Sequence, residues 1–189
     1  LGFASNNLHG PNTCDDNLIK NLIEECDYYK IESVLLSRYQ TTLDLVKQID
    51  YTKPKIIACS YFFDKSELLS LKKIFKKLKI GISSNPKKFD TNYFQSVAPL
   101  TNIFYYDLNI YEKEDIKTFS IYDCLDQINF LRKLNKPIYI GGGINHKNAK
   151  LVIDNAHPNG LDISRSLKDD NNDLCEEKLN KLIQSLSVD

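Results

Sequence analysis

Pro137-Ile-Tyr-Ile-Gly-Gly-Gly-Ile-Asn-His-Lys-Asn148 is the stretch whose reading decides the fold, and Gly160-Leu-Asp-Ile-Ser-Arg-Ser166 echoes it. Each is a short apolar run that ends in small or hydroxyl residues. After the first, Ala149, Val152, Ile153 and Ala156 recur at i, i+3, i+4 and i+7, the spacing of an amphipathic helix. A strand that stops at three glycines and turns into a helix presents bare backbone N–H groups at the helix N-terminus. Those amides, with the positive end of the helix dipole, favour a phosphate. Two such strand ends in succession match the paired phosphate loops after the last two strands of a (βα)8 barrel. The plainer reading is that Gly141, Gly142 and Gly143 only permit a tight turn and close helix–sheet packing. The glycine run alone does not choose between the two.

Outward from that stretch, strands and helices alternate along the chain. Strands are expected at Leu1–Ser5, Glu32–Ser37, Lys55–Ser60, Lys79–Ser84, Asn102–Asp107, Pro137–Gly141 and Leu161–Ser164. Several read as continuous apolar runs, as parallel strands covered on both faces do. Helices are expected between them, with Thr42 and Ser66 as N-caps of two. Another helix carries Leu18, Leu22, Ile23 and Cys26, and the last carries Leu179, Leu182, Ile183 and Leu186. Asn6–Thr13 and Leu108–Phe119 read as loops, the second long and charged enough to suggest function or mobility.

Seven βα units are one short of a closed barrel. The chain starts inside a strand and contains no methionine, so a unit ahead of it is expected to be missing. The rival fold is an open doubly wound sheet. Its nucleotide loops come first, whereas the phosphate-type loops here come last, where barrels place them. The expected class is therefore α/β, a (βα)8 TIM barrel lacking its first βα unit. Residues 1–189 would form a single domain that holds the second to eighth units.

The bulk properties exclude more than they select. With 25 basic and 25 acidic side chains the net charge is zero, so nothing draws the chain to nucleic acid or an anionic membrane. No apolar run approaches the ~20 residues of a membrane span, and no signal-peptide pattern opens the chain. The five cysteines, Cys14, Cys26, Cys59, Cys124 and Cys175, include no C-x-x-C pair. They read as reduced, mostly buried thiols of a cytoplasmic protein.

Among groups that can do chemistry, Asp107 ends an apolar strand, where a partly desolvated carboxyl can act as a general acid. A capping or loop aspartate is the plain alternative. Asp162, ahead of Ser164, can anchor a phosphate loop or serve as a buried structural acid paired with an amide. Ser164, Arg165 and Ser166 offer hydroxyl, guanidinium and backbone donors to a phosphate. His9, His146 and His157 have no metal-ligand spacing, and no metal site is expected.

These residues resemble the phosphoribosylanthranilate isomerase family. Ile140–Ala149 resembles the family's Ala-Gly-Gly-Leu-x-Pro-x-Asn-Val segment, and Asn159–Ser166 its Gly-Val-Asp-Val-Ser-Ser-Gly segment. Ile103–Asp107 resembles the strand that ends in the catalytic aspartate. The resemblance implies an Amadori rearrangement of N-(5-phosphoribosyl)anthranilate in tryptophan biosynthesis, without a cofactor. An acid opens the ribose by protonating the ring oxygen, and a base then removes the C2 proton. Asp107 would be the acid. Gly142, Gly143, Asp162, Ser164 and Arg165 would hold the phosphorylated small-molecule substrate, with Asn12 on the anthranilate side.

Three departures stand out. The family's base, a cysteine in a Lys-x-Cys-Gly strand, has no counterpart here and would lie upstream. Its Gly-Gly-Thr-Gly loop appears as Ile116-Lys-Thr-Phe119, and its last phosphate-loop glycine is Ser166. The alternatives are a catalytically impaired barrel that binds a phosphorylated ligand, or another phosphosugar isomerase on the same scaffold.

Overall fold

A computed structural model describes residues 1–6, 13–112 and 115–187. His9 and Asn12 lie outside the described residues. The chain divides into two compact units, Leu1–Ser83 with Asn92–Ile103, and Ser84–Thr91 with Phe104–Asp189.

In the first unit the strands are β1 (Gly2–Ser5), β2 (Thr13–Cys14), β3 (Val34–Ser37), β4 (Ile56–Cys59) and β5 (Lys79–Ser84). They lie in the order β5-β4-β3-β1-β2, each pair parallel. Thr13, expected to be the last residue of a loop, instead begins a two-residue strand, Thr13–Cys14, that pairs with Ala4 and Ser5. Helices α1 (Asp16–Tyr28), α2 (Thr42–Thr52), α3 (Lys65–Ile74) and α4 (Thr91–Val97) intervene. Leu35, Ile57, Ile80 and Ile82 alternate along the strands and are fully buried, as are Ile19, Leu45, Leu68 and Leu71 of the helices. Burying each such side chain stabilises the fold by roughly 1.5–3 kcal/mol.

Helix starts differ from expectation by one or two residues. Thr41, not Thr42, caps α2. Asp64, not Ser66, caps α3 and forms a reciprocal capping box with Glu67. In both cases a second capping-type residue stands nearby, and geometry chooses between them. The buried face of α2 includes Leu45 and Ile49, while Leu43 is exposed. In α1, Ile19 takes the buried place expected for Leu18.

In the second unit, strands β6 (Ile103–Asp107), β9 (Ile138–Gly141) and β10 (Gly160–Asp162) run parallel in the order β6-β9-β10. Phe104 and Tyr106 are buried on one face of β6, and the Tyr106 hydroxyl donates to Gln127 Oε1 at 2.6 Å. Gln127 belongs to α5 (Ile121–Lys133), which Ser120 caps. Helices α6 (Ala149–Ala156) and α7 (Glu176–Leu186) follow. On α7 only Leu182 is buried; Ile183 and Leu186 are exposed.

Two expectations are corrected in this unit. Within the expected loop Leu108–Phe119, two segments are strands. β7 (Asn109–Glu112) and β8 (Asp115–Thr118) form an antiparallel hairpin, closed where Phe119 N–H donates to the Leu108 carbonyl at 2.9 Å. Leu108, Asn109 and Ile110 are buried, so the start of the hairpin is packed into the protein, while the charged run Glu112-Lys113-Glu114-Asp115 hides the strands in the sequence. The last strand is also shorter than expected. It ends at Asp162, and Ser164 precedes a 3-10 turn over Arg165–Leu167.

Candidate functional site

The second unit gathers its chemical groups at the C-terminal ends of three adjacent strands. The register pairs Tyr105 with Tyr139 and Tyr139 with Gly160; one step on, Asp107 pairs with Gly141 and Gly141 with Asp162. Side chains alternate along a strand, so these six positions form two rows on one face. Phe104, Tyr106 and Ile140 occupy the other face and are fully buried.

The lower row is a floor. The Tyr105 and Tyr139 rings lie 5.8 Å apart. Gly160 leaves room for Tyr139, because a Cβ there would come within 2.5 Å of the ring. The upper row carries the two carboxyls with a bare glycine between them. A Cβ on Gly141 would meet Asp162 Cβ at 3.2 Å. A Cβ on Gly142 would collide with Asp107 Oδ1 and sit 2.6 Å from the Leu108 nitrogen. Gly142 and Gly143 also hold positive φ, at 92° and 69°, where only glycine is unstrained.

Hydrogen bonds fix Asp107. Its Oδ1 accepts from Asn109 N–H at 2.9 Å, and Leu108 N–H donates to the Gly141 carbonyl at 2.9 Å. Asn109 is buried, and its Oδ1 accepts from the Thr118 hydroxyl at 2.7 Å. The hairpin is thereby tied to the strand end, with Thr118 Cγ2 3.2 Å from where a Gly143 Cβ would be.

The glycine run does not enter a helix directly. Between Gly143 and α6 stands an Asn-rich turn, in which Asn145 and Asn148 each donate a side-chain amide to the Gly143 carbonyl. Helix α6 begins at Ala149, so its N-terminal amides are not those of the glycines. The two glycine- and serine-tipped segments do meet: the Ser166 hydroxyl donates to the Ile144 carbonyl at 2.5 Å. Among the described residues, the amides of Gly143 and Ser164 donate to no protein acceptor. Ser164 and Arg165 are exposed.

Asp162 is not the buried, amide-paired acid that one reading of the sequence allowed. Its side chain is open to solvent at the strand end. It is nonetheless crowded by protein atoms, and that desolvation raises its pKa above the usual carboxylate value. Among the described residues no hydrogen bond reaches its carboxyl. His146 is exposed in the turn. No group of three or more His, Cys, Asp or Glu that could hold a metal occurs among the described residues, and no helix there is long and apolar enough to cross a membrane.

No protein-family model and no curated protein sequence matches the chain. Solved structures do. Phosphoribosyl anthranilate isomerase from Thermococcus kodakaraensis superposes with a TM-score of 0.76 at 15% identity, over 100% of this chain and 88% of that one. A second such isomerase, in complex with reduced 1-(o-carboxyphenylamino)-1-deoxyribulose 5-phosphate, gives 0.69 at 11% identity, over 97% and 84%. The fold is that of the phosphoribosylanthranilate isomerases. This is the TIM-barrel architecture expected from the sequence. The same architecture extends to 3-keto-L-gulonate-6-phosphate decarboxylase from Vibrio cholerae, with a TM-score of 0.65 at 13% identity over 90% and 78%. The isomerase fold therefore brings a scaffold, and the chemistry must be argued from the site.

Sequence reasoning missed three parts of that site. The floor tyrosines read only as apolar strand residues. Gly160 is informative only once its neighbour across the sheet is known. Asn109 looked like one more polar residue in a charged loop.

Proposed function

We propose that the protein is a phosphoribosylanthranilate isomerase, converting N-(5-phosphoribosyl)anthranilate to 1-(2-carboxyphenylamino)-1-deoxyribulose 5-phosphate in a single barrel domain. The observation that carries the reading is the contact of the Asp107 carboxyl with the bare Gly142 backbone at the ends of paired parallel strands. An acid stands beside the segment proposed to grip the phosphate. Gly142, Gly143, Ser164 and Arg165 hold the phosphate, largely through backbone amides, and the Ser166–Ile144 bond keeps the two segments together. Asp107 protonates the ribose ring oxygen. Its Oδ1 accepts from Asn109 N–H, which fixes the orientation of the carboxyl at the strand end. Asn12 is assigned to the anthranilate side by position alone. The likeness to an isomerase crystallised with a phosphorylated ligand supports the substrate class.

The test is direct. The full-length protein is assayed with N-(5-phosphoribosyl)anthranilate by following the loss of substrate fluorescence, and its gene is introduced into a tryptophan-requiring strain. Turnover with growth supports the reading. An inert protein that still binds the phosphorylated ligand is an impaired binding barrel. Turnover of 3-keto-L-gulonate 6-phosphate instead points to another phosphosugar chemistry on this scaffold.

A further inference from the structure

Two tyrosines on neighbouring positions of the second unit have phenols in opposite circumstances. Tyr106 is buried on the covered face of β6, and its hydroxyl donates to Gln127 Oε1 at 2.6 Å. Tyr139 is half-buried on the other face, in the floor below Asp107 and Asp162. Among the described residues no hydrogen bond reaches its hydroxyl. A ring that only fills space needs no hydroxyl, and a covered phenol ordinarily has a partner.

The direction of the Tyr139 ring is set from both sides. The Tyr105 ring stands 5.8 Å away, tilted by 38°. On the other side the ring edge lies over Gly160. A Cβ there would come within 2.5 Å of Tyr139 Cε1, 2.7 Å of Cδ1 and 3.4 Å of Cζ, the carbon that bears the hydroxyl. Any side chain at position 160 would displace the ring, so the glycine is what lets the phenol lean over β10.

Glycine also clears the space above it. Gly141 is the next residue of β9 on the same face, and it projects no side chain between the phenol and the acid row. Two residues along a strand span about 6.7 Å, a separation that a pentose with hydroxyls on both edges can bridge. A phenol both donates and accepts, so it can pair with a sugar hydroxyl in either sense.

We infer that the Tyr139 hydroxyl binds a hydroxyl of the phosphorylated sugar, so that the site selects sugar phosphates over bare phosphate. Which sugar phosphate it takes rests on the isomerase reading. The contact orients the sugar from below and takes no part in proton transfer, which falls to the row above.

The test compares the full-length wild type with Tyr139→Phe, which keeps the ring and removes only the hydroxyl. Calorimetric titration measures the Kd of ribose 5-phosphate, of reduced 1-(o-carboxyphenylamino)-1-deoxyribulose 5-phosphate and of inorganic phosphate. The variant is expected to bind the two sugar phosphates roughly 2- to 10-fold more weakly, the usual net worth of one hydrogen bond. Its Kd for inorganic phosphate should be unchanged, and so should its Tm without ligand. Turnover of N-(5-phosphoribosyl)anthranilate should show a raised KM with little change in kcat, the signature of lost uniform binding.

A variant that binds ribose 5-phosphate as tightly as the wild type overturns the assignment and leaves the isomerase reading standing. Equal weakening toward inorganic phosphate overturns it as well, because the substitution has then disturbed the phosphate segment. So does a Tm lowered without ligand, which reveals a protein partner for the hydroxyl. A wild type that binds ribose 5-phosphate through Tyr139 yet leaves N-(5-phosphoribosyl)anthranilate unchanged supports the contact and overturns the isomerase reading alone.

Discussion

Asp107 and Gly142 are packed so closely that a single added methyl group at position 142 would overlap the carboxylate oxygen. This contact joins the end of β6 to the exit of β9 and fixes where the acid stands relative to the glycine segment. It also explains why the second glycine of the run is required, whatever the segment binds.

Gly142→Ala is expected to strain the backbone at φ 92° and to push Asp107 off its hydrogen bond with Asn109. Holding a non-glycine residue in that region costs roughly 1–3 kcal/mol, before the steric overlap is added. Urea unfolding of wild type and variant measures the loss. A fall of less than a few tenths of a kcal/mol would show that the segment relaxes freely.

The hairpin depends on one buried acceptor. Thr118→Val removes the hydroxyl that donates to Asn109 Oδ1 while keeping the shape of the side chain. An unpaired buried polar atom costs about 1–3 kcal/mol, so stability should drop by that order. Amide hydrogen exchange over residues 109–118 should speed up first, ahead of the rest of the second unit. Unchanged exchange there would mean that the bond contributes nothing to the hairpin.

Asp162 ties stability to pH. Its folded pKa is raised, so between the ordinary carboxylate value of about 3.9 and the folded value the native state binds more protons than the unfolded chain. Stability contributed at this site therefore falls as pH rises through that window. Asp162→Asn should raise the Tm above the wild type at pH 7 to 8, and the gain should vanish near pH 3. A variant less stable than wild type at neutral pH would contradict this.

The thiols should sort by burial. Burial pushes the Cys59 pKa up to about 12, and Cys26 and Cys124 are also buried. Cys14 and Cys175 are half-exposed. A disulfide-exchange reagent at pH 8 should label Cys14 and Cys175 in the native protein and the other three only on unfolding. Rapid labelling of Cys59 would show that the first unit opens readily.

Much of this molecule is legible in its residues. Alternating apolar runs and helical spacing locate all seven expected strands and the helices between them, because burial period is a local property. The sequence also marks Asp107 and the Gly141–Gly143 run, since a carboxylate closing an apolar strand and a triple glycine are unusual locally. The hairpin was missed because the charged run Glu112-Lys113-Glu114-Asp115 interrupts the apolar pattern in the sequence. The exact helix caps were missed because neighbouring residues could serve equally.

What no local reading can supply is register. That Asp107, Gly141 and Asp162 share one row follows from how β6, β9 and β10 slide past one another, and a shift of one residue would turn each side chain to the opposite face. Composition and spacing determined the barrel class and the candidate residues. Tertiary structure alone decided that two of those residues, 55 positions apart, face each other across a glycine, because strand pairing is set by the packing of both sheet faces together.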